Sequence, residues 1–249
     1  MMRNVDEVQV VVAHRERATL RVGDVFLKID ADQARADVEV EAMAMAPVPT
    51  PKILWRSPPV LALAALPGTA LGRLEEPSTA SPAAWAAAGA ALRTLHEAAL
   101  PPRPGHTRDE LASRLADECD WLLANDVLPA EVVTRNRRLA ETALRPWTPV
   151  FIHGDLQIAH VFVEGDEVTG IVDWSEAAQG DGLYDLASLT LAHEEHLDDV
   201  IAGYGAGVDV DLIRAWWSFR SLIVIRSLTE NGYGSPDTYP EVAVLRSTT

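Results

Sequence analysis

The apolar positions of this chain change period several times, and each change predicts a change of element. Residues 8–12, 19–22 and 25–29 are short β-branched runs, with Gly23-Asp24 as a tight turn between the last two, which predicts an antiparallel meander. From about residue 32 to 46 the spacing becomes helical, with Val38, Ala42 and Met45 as the apolar stripe. Pro47, Pro49 and Pro51 end that helix. Residues 52–55 and 60–66 then return to a strand pattern before Pro67-Gly68 turns the chain. Beyond this point helices dominate. Ser81 is an N-cap ahead of Pro82 at the first helical position, and Trp85, Ala88, Leu92 and Leu95 recur at helical intervals. A proline-rich loop at 101–104 precedes two amphipathic helices, 108–124 and 130–144. Short strand-like runs reappear at 150–152, 161–163 and 168–172, the last two joined by the turn Glu164-Gly165-Asp166-Glu167. Segments 183–204 and 209–230 are helical again, the second with Leu212, Trp216, Phe219, Leu222, Ile223 and Ile225 as a core face.

Composition agrees with an α+β chain large enough to carry its own core. With 249 residues, 48% of them hydrophobic, it can bury roughly 70–75% of its unfolded surface. Twenty-one basic against 37 acidic residues give a net charge of −16, which opposes nucleic acid and anionic membranes and attracts a cationic small molecule. The single cysteine, Cys119, forbids an intrachain disulfide, reads as a core residue and predicts a reducing compartment. No apolar run reaches the roughly 18 residues of a membrane span, and the first apolar run is too short for a signal peptide. A cytoplasmic location is expected.

The candidate chemistry sits where apolar runs end. In FIHGDLQIAHVFVEGDEVTGIVDWSEA, residues 151–177, Asp155 follows one strand-like run and Asp173 ends another, with His153 and His160 beside the first. A hairpin between them returns the second carboxylate to the first, which suits a hard cation such as Mg²⁺ that takes oxygen ligands and leaves room for phosphates. Lys28 lies between Leu27 and Ile29, so alternation puts its ammonium on one face of the first sheet. HEEHLDD at 193–199 is an acidic cluster whose simplest reading is a solvated helix face. His193 and His196 are three apart and do not form the HExxH pattern of zinc proteases. Residues 13–18 read AHRERA, so no glycine-rich loop joins the first two strands.

Residues 151–177 resemble the catalytic stretch of the aminoglycoside phosphotransferase family, within the protein-kinase-like superfamily. The family pattern is His-Gly-Asp, four residues, Asn, then Ile-Asp-Trp about a dozen residues later. Here it reads His153-Gly154-Asp155, His160 at the asparagine position, and Val172-Asp173-Trp174. The resemblance extends to Asp181 and Asp185 in GDGLYDLASL and to LRTLHEAALP at 92–101. It implies a two-lobed protein-kinase-like fold, with a small antiparallel β-rich nucleotide-binding lobe (1–66) and a larger, mainly helical catalytic and acceptor-binding lobe (67–249).

The resemblance also implies an activity: transfer of the γ-phosphoryl group of ATP or GTP to a hydroxyl of a small molecule, with an aminoglycoside or other amino-sugar antibiotic as first acceptor and Mg²⁺ as cofactor. Asp155 would accept or orient the acceptor hydroxyl, Asp173 and His160 would hold the metal, and Lys28 would contact the phosphates. Glu39 would pair with Lys28, with Glu41 as its rival, and backbone near Ala64 and Leu66 would bond the nucleotide base. His153 would fix the catalytic loop, Asp185 would anchor it from beneath, and Glu194, Glu195, Asp198 or Asp199 would meet acceptor amines. His160 departs from the pattern, because a neutral imidazole is a poorer Mg²⁺ ligand than an amide oxygen. The architecture also phosphorylates choline, homoserine and macrolides, so the acceptor stays open. A non-catalytic nucleotide-binding or ligand-sensing module and a metal-dependent hydrolase are the alternative readings. Oligomeric state is not set by these residues.

Overall fold

A computed structural model describes residues 7–13, 17–74, 76–205 and 207–248. The chain opens with β1 (Val8–Ala13), β2 (Arg17–Val22) and β3 (Val25–Asp30), continues through α1 (Gln33–Met45), and returns as β4 (Ile53–Ser57) and β5 (Val60–Ala64). These strands form one antiparallel sheet in the order β1-β2-β3-β5-β4, with Lys28 of the central β3 opposite Thr19 and Leu61. The loop without glycines between β1 and β2 falls at 14–16, outside the described residues.

Asp32 caps α1 by accepting from the Ala34 and Arg35 N–H groups, which fixes the start of the helix. Its buried face carries Glu39, Ala42 and Met43, while Met45 is 37% exposed. The stripe expected from Val38, Ala42 and Met45 is therefore rotated. The reason is tertiary: α1 packs against the short 3₁₀ turn at 174–176, and that contact buries a carboxylate as part of the helix's inner face.

Past β5 the chain runs through β6 (Thr69–Ala70), α2 (Pro82–His96), α3 (Arg108–Ala124) and α4 (Ala130–Ala143). It then enters β7 (Val150–Ile152), β8 (Val161–Glu164), β9 (Glu167–Ile171) and β10 (Ala178–Gly180), and ends with α5 (Gly182–Thr190), α6 (Leu197–Tyr204), α7 (Val210–Glu230) and α8 (Pro240–Ser247). β6, β8 and β9 make a small antiparallel sheet, and β7 and β10 make a two-stranded one. The helical core is organised on α7, which is buried along most of its length and packs on α3, α4, α5 and α8. A helix covered on all sides needs no polar stripe, which accounts for its run of large apolar residues. Against α2 lies α6, so close that a Cβ on Gly89 would fall 2.1 Å from the Val200 carbonyl oxygen and one on Gly203 1.7 Å from that of Ala86. Cys119 is fully buried in this core.

The expected helix over 183–204 is two helices. It breaks after Thr190, where Ala192 takes φ +61 and a 3₁₀ turn spans Glu194–His196 before α6 begins. His196 stacks on the buried Trp85 ring at 4.5 Å and His193 lies 5.7 Å from it, so packing on α2 redirects the chain. β10 and α8 had no counterpart among the expected elements. No helix among the described residues is long and apolar enough to cross a membrane.

Candidate active site

The loop that carries Asp155 leaves β7, whose pairing with β10 sets Ile152 opposite Ala178 and Val150 opposite Gly180. Asp185, fully buried on α5, accepts the His153 N–H at 2.6 Å, the Gly154 N–H at 2.9 Å and a contact from His96 Nε2 at 3.2 Å. One carboxylate thus satisfies two loop donors that water cannot reach. Gly154 has φ +85, and a Cβ there would sit 2.3 Å from the Glu176 carbonyl oxygen, so only glycine fits. The buried His153 ring bridges Asp155 N–H (3.3 Å to Nδ1) and Val172 O (3.0 Å from Nε2). Those partners assign Nδ1 as acceptor and Nε2–H as donor. Burial lowers the His153 pKa, Asp185 opposes that shift without cancelling it, and the ring is held neutral. It ties the first aspartate loop to the strand that leads into the second.

Hairpin β8–β9 pairs Val161 with Ile171, and the Val172 N–H bonds His160 O at 3.0 Å. Asp173 therefore emerges beside His160. Its backbone is left-handed, φ 67 and ψ 58, a conformation that costs a non-glycine residue about 1–3 kcal/mol and persists only where surroundings enforce it. Lys28 reaches from β3 to both Glu39 oxygens at 2.6 and 2.7 Å and to Asp173 Oδ1 at 2.8 Å. Burial lowers Lys28, yet Asp173 and Glu39 outweigh it and raise the ammonium above its usual pKa. Burial raises Asp173, but Lys28 and His160 overcome it and hold this carboxyl far below the ordinary range. Glu39 is raised by burial and by the Asp173 charge, against the pull of Lys28. Of the two glutamates weighed for this pair, Glu39 is inside and Glu41 is exposed.

His160 donates Nδ1–H to the Asp155 carbonyl oxygen at 2.7 Å and turns Nε2 toward Asp173 Oδ2 at 3.7 Å. In the neutral ring this tautomer leaves a lone pair on Nε2 facing a carboxylate oxygen. Among the described residues no group of three or more His, Cys, Asp or Glu side chains forms a metal cage. A cation carried by nucleotide phosphates needs only one or two protein donors, and the Asp173 oxygen with the imidazole nitrogen across from it fits that demand.

Asp155 is held differently. Its Oδ1 accepts from Arg220 Nη2 at 2.5 Å and from Gln157 Nε2 at 3.0 Å, while Arg220 Nη1 donates to Tyr184 Oη at 3.2 Å. No hydrogen bond reaches Oδ2 from the described residues. Burial raises the Asp155 carboxyl, but Arg220, His160 and the hydrogen bonds bring it below the ordinary value.

Lys28, Glu39, Asp155, His160, Asp173 and Arg220 all line one cleft of about 1280 Å³ between the five-stranded sheet and the helices. Ala64 and Leu66, expected beside the nucleotide base, do not line it: the Ala64 N–H is spent on Lys52 O, and the Leu66 side chain covers Gly170. Of the four carboxylates in the acidic cluster Glu195 alone lines the cleft, beside His193. Glu194 is paired with Arg214 at 2.9 Å, Asp199 with His196 at 3.1 Å, and Asp198 is exposed outside it. The break between α5 and α6 separates these carboxylates. Sequence reasoning missed Arg220, Tyr184 and Gln157. The one available signal was a guanidinium inside the otherwise apolar run Trp216–Ile225.

The model of the phosphotransferase enzyme family (APH) matches residues 9–222. No curated protein matches the chain. Several solved structures share the fold at low identity. An aminoglycoside 2′-phosphotransferase-IIIa in complex with GDP superposes with a TM-score of 0.75 at 18% identity, covering 98% of this chain and 92% of that one. A choline/ethanolamine kinase family protein from Mesorhizobium loti gives 0.70 at 21%, covering 97% and 88%. A macrolide 2′-phosphotransferase from Brachybacterium faecium gives 0.66 at 22%, covering 98% and 94%.

Proposed function

Since the chain belongs to the phosphotransferase enzyme family, we propose that it transfers the γ-phosphoryl group of ATP or GTP to a hydroxyl of a small molecule. The observation that carries this reading is the meeting of Lys28, Glu39 and Asp173 from three separate elements in the cleft that also holds Asp155. Residues 1–66 would bind the nucleotide and 67–249 the acceptor. Lys28, kept in place by Glu39, exchanges its contact with Asp173 for the phosphates and neutralises charge that grows during transfer. Asp173 and His160 would hold Mg²⁺, which when bound screens the phosphate oxygens. Asp155 Oδ2 accepts the acceptor hydroxyl and aligns it for in-line attack, since Oδ1 is already engaged.

The acceptor half of the cleft combines apolar walls, Leu189, Leu191, Val224 and Leu228, with the carboxylate of Glu195. Ser188 Oγ adds a buried polar atom without a partner. That lining suits an acceptor with an amine and an apolar face. Aminoglycosides and macrolides are the compounds to test first, because they differ in how many amines they carry.

The test is nucleotide diphosphate formation from ATP and from GTP with Mg²⁺, across aminoglycosides, macrolides and small amino alcohols, with Asp155→Asn as control. Acceptor-dependent turnover that falls by about 10³ in the control is the expected outcome. Nucleotide binding with no acceptor-dependent turnover would favour a sensing module, and release of free phosphate without acceptor a hydrolase.

A further inference from the structure

We propose that Arg220 is a positioning residue that presents a single oxygen of Asp155 to the acceptor. The proposal rests on the reading of Asp155 given above. Arg220 sits in the middle of α7, a helix otherwise given over to core packing, and only 9% of its surface is exposed. A guanidinium is removed from water at high cost and is retained in such a place when it is paired with an opposite charge. Its two ends are engaged in sequence: Nη1 on Tyr184 Oη from α5, Nη2 on Asp155 Oδ1. Gln157 Nε2 takes the same Oδ1. A carboxylate rotates about its last bond unless something distinguishes its two oxygens, and here two donors converge on one of them. The other oxygen is left toward the cleft, with its lone pairs directed by a helix and not by a mobile loop.

The consequence is geometric. In-line transfer needs the acceptor oxygen aligned on phosphorus, and displacements near 1 Å cost about 10²-fold in rate. Tyr184, Arg220 and Asp155 form a rigid chain from α5 through α7 to the catalytic loop. Asp185, also on α5, grips the backbone of that loop from the other side. Both the backbone and the side chain of the catalytic segment are therefore referenced to the same helix. Because Arg220 itself lines the cleft, direct contact with acceptor or phosphate is the competing role, and the two roles separate kinetically.

The experiment compares Arg220→Lys, Arg220→Met and Tyr184→Phe with the parent and with Asp155→Asn, after nucleotide binding by calorimetry has shown each variant folded. Positioning predicts that Arg220→Met lowers kcat about 30- to 100-fold with acceptor KM and nucleotide affinity within about twofold. Arg220→Lys, which supplies one donor in place of a fork, should recover only part of the loss, and Tyr184→Phe should lose about three- to tenfold. In the Asp155→Asn background Arg220→Met should add no further loss, a non-additivity that a merely structural residue would not produce. A rise in acceptor KM at unchanged kcat would make Arg220 a binding residue and overturn the proposal, as would full activity in Arg220→Met. If Arg220→Met fails to fold, Tyr184→Phe and Arg220→Lys carry the same test. Unimpaired Asp155→Asn would instead sink the functional reading itself, so the two failures are told apart.

Discussion

The two aspartates of the cleft are held by opposite strategies. Around Asp173 one ammonium faces two carboxylates, and Lys28 and Asp173 keep 23% and 33% of their side-chain surface open. Around Asp155 one guanidinium faces one carboxylate; Asp155 is as open as Asp173, but the Arg220 side chain is nearly closed off at 11%. The first cluster sets two carboxylates against one ammonium in a partly open place. The second pairs one carboxylate with one guanidinium through a single oxygen, and the other Asp155 oxygen accepts no hydrogen bond from the described residues. The contrast teaches that two carboxylates equally open to one cleft can be held by different counterparts, one by an ammonium shared with a second carboxylate and one by a guanidinium buried in a helix core.

Breaking the open cluster should have the largest effect. Asp173→Ala removes the carboxylate that Lys28 and His160 both face, and turnover should fall by about 10³ or more while the protein remains folded. A variant keeping a tenth of the parent rate would show that the cluster is structural. Asp185→Ala tests the scaffold beneath both clusters. It strands two buried N–H groups and His96, and should cost about 3 kcal/mol, which lowers Tm by roughly 6–12 °C in a chain of this size. A shift under 2 °C would mean the loop finds other acceptors.

Acid should weaken both clusters. Asp155 and Asp173 have folded pKa values below their unfolded ones, so their stabilisation is present above the ordinary carboxylate range of about 4 and is lost as pH falls through the folded values. His153, lowered by burial, acts with the same sign from higher up: below about pH 6.5 the unfolded chain binds a proton that the folded chain refuses. Urea midpoints should therefore decline gently from pH 6.5 and steeply below about pH 4. A midpoint flat to pH 4 would remove His153 from the account. The smallest change is expected for His160→Asn, which exchanges a ring nitrogen for an amide oxygen beside Asp173. Activity should stay within about tenfold of the parent and the ratio of Mn²⁺- to Mg²⁺-supported rates should fall, because the imidazole favours the softer ion. Complete loss with intact nucleotide binding would give the ring a role that an amide cannot fill.

The His-Gly-Asp loop, the β8–β9 hairpin, the capped helix at Ser81 and the alternation that presents Lys28 are all short-range features, and each was legible because spacing within one turn or one hairpin is fixed by backbone geometry. The choice of Glu39 over Glu41 followed the family spacing and coincides with the buried face of α1. What was not legible depends on how helices rotate and approach one another. The α5–α6 break follows from packing on Trp85 and Gly89, and it disperses an acidic cluster that sequence alone treats as one face. Met43 replaces Met45 inside because α1 rests on the turn at 174–176.

By itself, then, the sequence determined the order and kind of the main elements and the placing of Asp155 and Asp173 at the ends of short strands, because the hydrophobic period and the loop motif are local properties of the chain. Only the tertiary structure decided that Arg220, 65 positions from Asp155, closes on one of its oxygens while the other stays open. The physical reason is that such a contact depends on the register and rotation of α7 against α5 and the catalytic loop, which are set by the whole core and written in no single segment.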